Sequence, residues 1–146
     1  MKKLELVDDH RCFACGMDNP DGLRLEWKVE GLTTSTLYTP ESKYQGWKGI
    51  LHGGIIATLL DEAMTRLAWV IYGGAVTAEM TVRYVAPAEI GDLLIIRGEI
   101  VSDSRKLVEM KASIHSSATG KLIAHSTGKA MKMMRAVESI SNNEDQ

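Results

Sequence analysis

The most constraining feature of the sequence is one long helical segment, which runs from near His52 to about Tyr72 and is followed by a Gly73-Gly74 stop. Its apolar residues recur at helical spacing and form one broad stripe: Ile55, Ile56, Leu59, Leu60, Ala63, Leu67, Val70 and Ile71. The opposite side has Asp61 as the charge nearest its centre and otherwise holds Ala57, Thr58, Met64, Thr65, Ala68 and Trp69. Because a solvated face would be rich in Lys and Glu, the helix is predicted to be enclosed on most sides.

The rest of the chain shows the two-residue alternation that is typical of β-strands. Two strands are predicted before the helix and four after it, at 23–29, 33–38, 76–84, 93–101, 106–115 and 122–133. Short connections imply antiparallel pairing, and the apolar face of such a sheet must be buried against the helix. The predicted class is therefore α+β, with an antiparallel sheet of about six strands wrapped around one long central helix.

Length and composition are those of one soluble domain, since 146 residues with 45% hydrophobic and 25% charged side chains can bury a core. This domain is predicted over 1–136, with a lead-in at 1–20 and a disordered polar tail at 137–146. A net charge of −2 predicts no nucleic-acid or membrane partner. The acidic start of the chain and the absence of an apolar run near the roughly 20 residues of a membrane span predict a cytoplasmic protein.

The chemistry-bearing segment is the beginning of the helix. Gly53 and Gly54 leave first-turn N–H groups uncovered, and such groups bind anions or a developing oxyanion. Asp61 follows about two turns later, roughly 11 Å along the axis. Because this distance is too long for both groups to meet at one carbonyl, they are predicted to act from different protomers. A simple tight turn and a solvated aspartate remain the alternative.

The lead-in contains the two cysteines of the chain, Cys12 and Cys15, which are too close in sequence for a useful structural disulfide. Together with His10 they could supply three zinc ligands. A structural zinc site wants four ligands and the chain has no second cysteine pair, so a small-residue turn without metal is predicted. A zinc site shared across a dimer is the alternative, and no cofactor is expected.

Several motifs together resemble the hotdog thioesterases of the phenylacetate-degradation type. His52-Gly53-Gly54 with Asp61, followed by the strand 76–87, carries this resemblance. Further motifs resemble one branch of the family: Cys12-Phe13-Ala14-Cys15-Gly16, Asn19-Pro20, Gly22-Leu23 and Tyr44-Gln45-Gly46-Trp47. The match spans roughly residues 10 to 134 and implies a hotdog fold.

The resemblance implies hydrolysis of acyl-CoA thioesters at a site between two protomers of a homodimer, with a dimer of dimers as a further possibility. Asp61 would be the general base or the nucleophile, and the Gly53 N–H would polarise the thioester oxygen. Thr77 would help to hold the attacking water. Gln45 lies one residue from the position where many members have an Asn or Gln. His52 would orient the loop and stay outside the chemical step.

Substrate contacts are predicted at Gly54 and on the helix side that carries Asp61, at Thr58 and Thr65. The CoA phosphates want Lys or Arg at the mouth of the pocket, and the candidates are Arg83, Arg105, Lys106 and Lys121. Two other functions remain open: a non-catalytic acyl-CoA or lipid sensor and a hotdog hydratase. Asp61 with its glycine turn favours hydrolysis over both. The acyl group, and the choice between dimer and tetramer, are left open.

Overall fold

The computed structural model describes residues 6–133, so the predicted tail at 137–146 lies outside the described residues. Six strands and one long helix follow in the predicted order: β1 Lys28–Glu30, β2 Thr33–Tyr38, α1 Gly53–Tyr72, β3 Ala75–Tyr84, β4 Leu94–Asp103, β5 Leu107–Ser116 and β6 Leu122–Lys132. All pairings are antiparallel, and the sheet order is β1-β2-β4-β5-β6-β3. The helix packs against β2 to β6, which confirms the predicted arrangement.

The central helix begins and ends at the predicted residues. His52 is its N-cap, and Gly73 ends it in the left-handed conformation with φ 73°. Its buried residues form a stripe that faces the sheet: Ile56, Leu59, Leu60, Ala63, Met64, Leu67 and Ala68. The predicted stripe was wrong at three positions, because Met64 and Ala68 are fully buried while Val70 is 55% exposed. Met64 lies one turn beyond Leu60 and Ala68 one turn beyond Met64, and both widen the stripe toward Asp61.

The first predicted strand, 23–29, was too long. Strand β1 covers only Lys28–Glu30, because Arg24 has a φ of 52° and interrupts the extended chain. Leu23 and Leu25 are nevertheless buried, and their N–H groups donate to the carbonyls of Phe13 and Ala14 at 2.8 and 3.0 Å. This segment therefore holds the lead-in against the domain.

Strand β3 contains a β-bulge that the uninterrupted alternation of residues 76–84 did not predict. Its register against β6 shifts between Thr77 and Glu79, so that Ala78 has no partner. The extra residue changes which side chains share a face: Thr77 contacts the helix, and so does Tyr84, seven residues later. Without the bulge, an odd separation would place these two side chains on opposite faces.

Candidate active site

Asp61 and Thr77 form the polar pair at the centre of the candidate site. The half-buried Asp61 lies on the helix at the edge of the buried stripe, and Thr77 lies near the start of β3. The Thr77 hydroxyl donates to Asp61 Oδ1 at 2.6 Å. No hydrogen bond from the described residues reaches Oδ2, so this oxygen and the lone pairs of the Thr77 hydroxyl are free to bind water. The structure thus brings two of the predicted catalytic residues together.

The helix N-terminus is capped by His52, whose Nδ1 accepts a hydrogen bond from the Gly54 N–H at 2.8 Å. This contact makes Nε2 the protonated nitrogen of a neutral ring. The Gly53 carbonyl accepts a bond from the Tyr84 hydroxyl at 2.9 Å. Within the described part of the chain, the Gly53 N–H has no acceptor. Of the two glycines, Gly53 is therefore the one whose amide is available to an oxyanion.

Gln45 lies in the same groove as His52 and Gly53, a concavity of about 490 Å³ at the helix N-terminus. Its Oε1 accepts a hydrogen bond from the Gly49 N–H at 3.1 Å, which orients the side chain. The two N–H bonds of its amide nitrogen point away from that contact and are available to a ligand.

A second cleft, of about 560 Å³, lies along the second half of the helix, beside Glu62 and Thr65. Its walls come from the lead-in, the second half of the helix and the start of β3, and they include Cys12, Cys15, Glu62, Thr65, Trp69 and Val76. The groove at Gly53 and this cleft share no residue. Neither concavity includes Asp61, which lies eight residues along the helix from Gly53, roughly 12 Å of axial rise, so one chain keeps the candidate oxyanion donor apart from the candidate base.

The two helix threonines predicted to contact substrate make the same internal bond. Thr58 donates to the Gly54 carbonyl at 2.9 Å and Thr65 donates to the Asp61 carbonyl at 2.8 Å. Their hydroxyl protons are engaged by the helix, so that only their oxygens can face a ligand. Thr65 borders the second cleft, whereas Thr58 borders neither concavity.

Three of the four predicted phosphate-binding cations lie at opposite ends of the sheet. Arg83 is exposed beside Tyr84, at the end of β3 near Gly53. Arg105 and Lys106 lie in the β4–β5 turn, where the Lys106 carbonyl accepts a bond from Lys132, the residue opposite Ala75 at the other end of β3. One chain does not bring these three side chains together.

Sequence reasoning missed Glu62, which is half-buried and contacts the lead-in. Burial, and then the neighbouring Glu62 carboxylate, raises the pKa of the Cys15 thiol to about 12. Burial and the charge of Asp61 raise the pKa of Glu62. The sequence grouped His10 with the two cysteines, but His10 lies beside Asp8. The third ligand-type side chain next to the cysteines is that of Glu62. The Cys-x-x-Cys spacing was the sequence signal for a cluster of possible metal ligands, to which a third side chain could be added.

Comparisons with known proteins show the family to which the chain belongs. The family model described as the thioesterase superfamily matches residues 48–123, which is more than half of the 146-residue chain. The chain belongs to the thioesterase superfamily. The matched segment of this superfamily member begins in the loop before the helix and contains Gly53, Asp61 and Thr77.

Relatives with curated names include acyl-coenzyme A thioesterase 13 from Mus musculus, which is 34% identical over 107 residues, covering 72% of this chain and 69% of that protein. The Homo sapiens protein of the same name is 33% identical over 86 residues, 58% of this chain and 61% of its own length. This thioesterase superfamily member thus spans about two thirds of these relatives.

Solved structures confirm the hotdog fold of this superfamily member. Zebrafish thioesterase superfamily member 2 has a TM-score of 0.72 at 24% identity, covering 81% of this chain and 89% of that one. The E. coli PaaI protein has a TM-score of 0.71 at 18% identity, with 76% and 80% covered. A Streptococcus pneumoniae hypothetical thioesterase solved with coenzyme A has a TM-score of 0.69 at 21% identity, with 73% and 84% covered.

In the described residues of this chain, no helix is long and apolar enough to cross a membrane.

Proposed function

We propose that this protein hydrolyses acyl-CoA thioesters to a free acid and CoA, with Asp61 as general base. The observation that carries the proposal is the 2.6 Å hydrogen bond between Thr77 and Asp61 in a thioesterase superfamily chain. The names of the mammalian relatives, and the coenzyme A in the streptococcal structure, support the substrate class.

The hydrolysis would use the two free acceptor positions of this pair. A water bound between Asp61 Oδ2 and the Thr77 hydroxyl oxygen loses a proton to Asp61 as its oxygen attacks the thioester carbonyl carbon. The carbonyl oxygen becomes an oxyanion, the C–S bond then breaks, and the CoA sulfur leaves as a thiolate that takes up a proton. Attack by Asp61 itself is the competing route: it would expel the CoA thiolate and form a mixed anhydride, and water attack at the Asp61 carbon of that anhydride would leave heavy oxygen from labelled water in the Asp61 carboxylate.

The oxyanion would be stabilised by the Gly53 N–H, at the positive end of the helix dipole, and by the amide nitrogen of Gln45. Both groups lie in the groove at the helix N-terminus, which does not include Asp61. We therefore propose that the complete site combines Asp61 of one protomer with Gly53 of its partner. His52 would hold this groove in place through its cap and would not exchange protons with the substrate.

Strand β3 supplies the dimer interface in this proposal. It is an edge strand of the sheet, and its free edge can pair with a second chain. If two copies pair antiparallel about a two-fold axis between Met80 and Thr81, Thr77 lies opposite the partner's Tyr84. Because Thr77 bonds Asp61 and Tyr84 bonds Gly53, this pairing brings each base to the other chain's oxyanion donor.

The same pairing would place the Arg83 end of one β3 beside the start of the other, near Arg105 and Lys106 of that chain. Arg83, Arg105 and Lys106, three of the four cations predicted for the CoA phosphates, would then flank one composite site. Pairing of two such dimers into a tetramer and a cytoplasmic location remain predictions from the sequence.

The test is release of free CoA from phenylacetyl-, benzoyl- and C4 to C16 acyl-CoAs, with Asp61→Asn assayed beside the unaltered protein. The variant should lose at least about a hundredfold in kcat, roughly 2.7 kcal/mol in barrier, with its fold and oligomeric state unchanged. Asp21→Asn is the matched control, because Asp21 is exposed and its carboxylate accepts no hydrogen bond from the described residues. Tight acyl-CoA binding without turnover of any substrate would favour the sensor function instead.

A further inference from the structure

A cluster of three ligand-type side chains lies beside the candidate active site and has no part in the proposed hydrolysis. The Sγ atoms of Cys12 and Cys15 and a carboxylate oxygen of Glu62 all lie within 4.8 Å of one another. The cysteines belong to the lead-in and Glu62 belongs to the central helix. The cluster therefore joins two segments that are far apart in the sequence.

We propose that Cys12, Cys15 and Glu62 bind one Zn²⁺ ion, which fastens the lead-in to the helix next to Asp61. Two thiolates select thiophilic metals, and a carboxylate as third ligand favours Zn²⁺ over Cu⁺. Ligand atoms around a tetrahedral Zn²⁺ lie roughly 3.3 to 3.8 Å apart. Small rotations of the three side chains would bring them from the observed spacing to this one. All three line the cleft of about 560 Å³, so that solvent can supply a fourth ligand.

The lead-in is shaped to present both thiols on one side. The Cys-x-x-Cys spacing is that of zinc-binding turns. The turn closes through a hydrogen bond from the Gly16 N–H to the Cys12 carbonyl at 2.9 Å. A Cβ on Gly16 would clash with the backbone nitrogen of Cys12, so this position accepts only glycine. The bonds from Leu23 and Leu25 to the lead-in carbonyls hold the turn against the domain.

The charge at the cluster favours a cation. Glu62 follows Asp61 directly in the sequence, and both cysteines become anionic when they bind a metal. Arg66, one turn beyond Glu62, is the cation whose charge acts on both Cys15 and Glu62, and it is exposed. A divalent ion would offset the negative charge of these groups and would deprotonate the thiols outright.

A Cys12–Cys15 disulfide is the competing use of the two thiols. A disulfide would require an oxidant such as a peroxide or oxidised glutathione. It would also leave the half-buried Glu62 carboxylate next to the sulfur atoms with no ion bound between them. The geometry of three converging donors therefore favours the metal.

The test uses the full chain, kept reduced and stripped of metal with a chelator. Titration with Zn²⁺ against a chromophoric chelator should show one equivalent bound per chain. Co²⁺ added to the unaltered protein should give a thiolate-to-metal charge-transfer band, a readout that does not depend on any variant. Cys12→Ser and Cys15→Ser should abolish Zn²⁺ binding, and Glu62→Gln should weaken it at least tenfold. His10→Ala is the matched control and should bind as the unaltered protein does.

Two further results separate this proposal from the proposed hydrolysis. Asp61→Asn should lose thioester turnover and still bind one Zn²⁺. Turnover and zinc binding are therefore measured independently, and either proposal can be contradicted without affecting the other. The zinc proposal is overturned if the reduced protein takes up no Zn²⁺, if the Co²⁺ complex lacks the charge-transfer band, or if Cys12→Ser binds zinc unchanged.

Discussion

The hydroxyl of Thr77 donates a 2.6 Å hydrogen bond to Oδ1 of Asp61, and this bond joins the start of β3 to the middle of the central helix. It exists because the bulge at Ala78 turns Thr77 toward the helix while Tyr84 keeps its own contact there. The acid is thereby fixed through one oxygen and left free at the other. A carboxylate held in this way can accept a proton from a water whose position is already defined.

Removal of the Thr77 hydroxyl should slow turnover without unfolding the protein. Thr77→Val keeps the β-branched shape of the side chain, and we expect kcat to fall about tenfold to a hundredfold, roughly 1.4 to 2.7 kcal/mol in barrier. Thr77→Ser retains the hydroxyl and should recover most of the rate. Steady-state kinetics with one acyl-CoA would check both variants, and an undiminished kcat in Thr77→Val would remove Thr77 from the mechanism.

The role of the Gly53 amide can be tested by deleting its hydrogen alone. Gly53→Pro removes the N–H at the first helical position, where proline is well tolerated, and the extended backbone of His52 suits a following proline. We expect kcat to fall at least about a hundredfold, as for the loss of one oxyanion donor. Gly53→Ala retains the N–H, and its Cβ would meet Tyr84 at an ordinary contact distance of 3.4 Å. Equal rates in the two variants would contradict the assignment.

A shared site makes a prediction about mixtures of two inactive proteins. After subunit exchange between Asp61→Asn and Gly53→Pro, half of the dimers would contain one chain of each kind, and each of these would have one intact site. The mixture should therefore recover about a quarter of the unaltered activity. The assay is CoA release before and after exchange. If both groups of a site came from one chain, the mixture would stay inactive.

The His52 cap should affect stability more than chemistry. His52→Ala removes the acceptor of the Gly54 N–H, and we expect the free energy of unfolding to fall by about 1 kcal/mol. His52→Asn supplies a different capping acceptor and should restore most of that loss. Urea denaturation would measure both changes. A His52→Asn protein that is stable but catalytically dead would place His52 in the chemical step instead.

Much of the fold could be predicted because its signals are local. The apolar period of the segment that ends at Tyr72, its Gly73 stop and the alternation of the strands all come from neighbouring residues. Asp61 stood out for the same reason, as a single acid on an otherwise uncharged side of the helix. The prediction failed where the backbone conformation changes within an alternating pattern. Arg24 has a positive φ, which interrupts the strand that was predicted to begin at Leu23.

The sequence by itself determined one long helix, six strands and a candidate acid on the helix, since each is written in a periodicity of 3.6 or two residues. Only the tertiary structure decided which groups meet. A single unpaired residue, Ala78, sets the face on which Thr77 lies, and no periodicity encodes a bulge of one residue. The approach of Glu62 to Cys12 and Cys15 depends on how the lead-in folds back on the helix, and contacts at such sequence separation leave no local pattern.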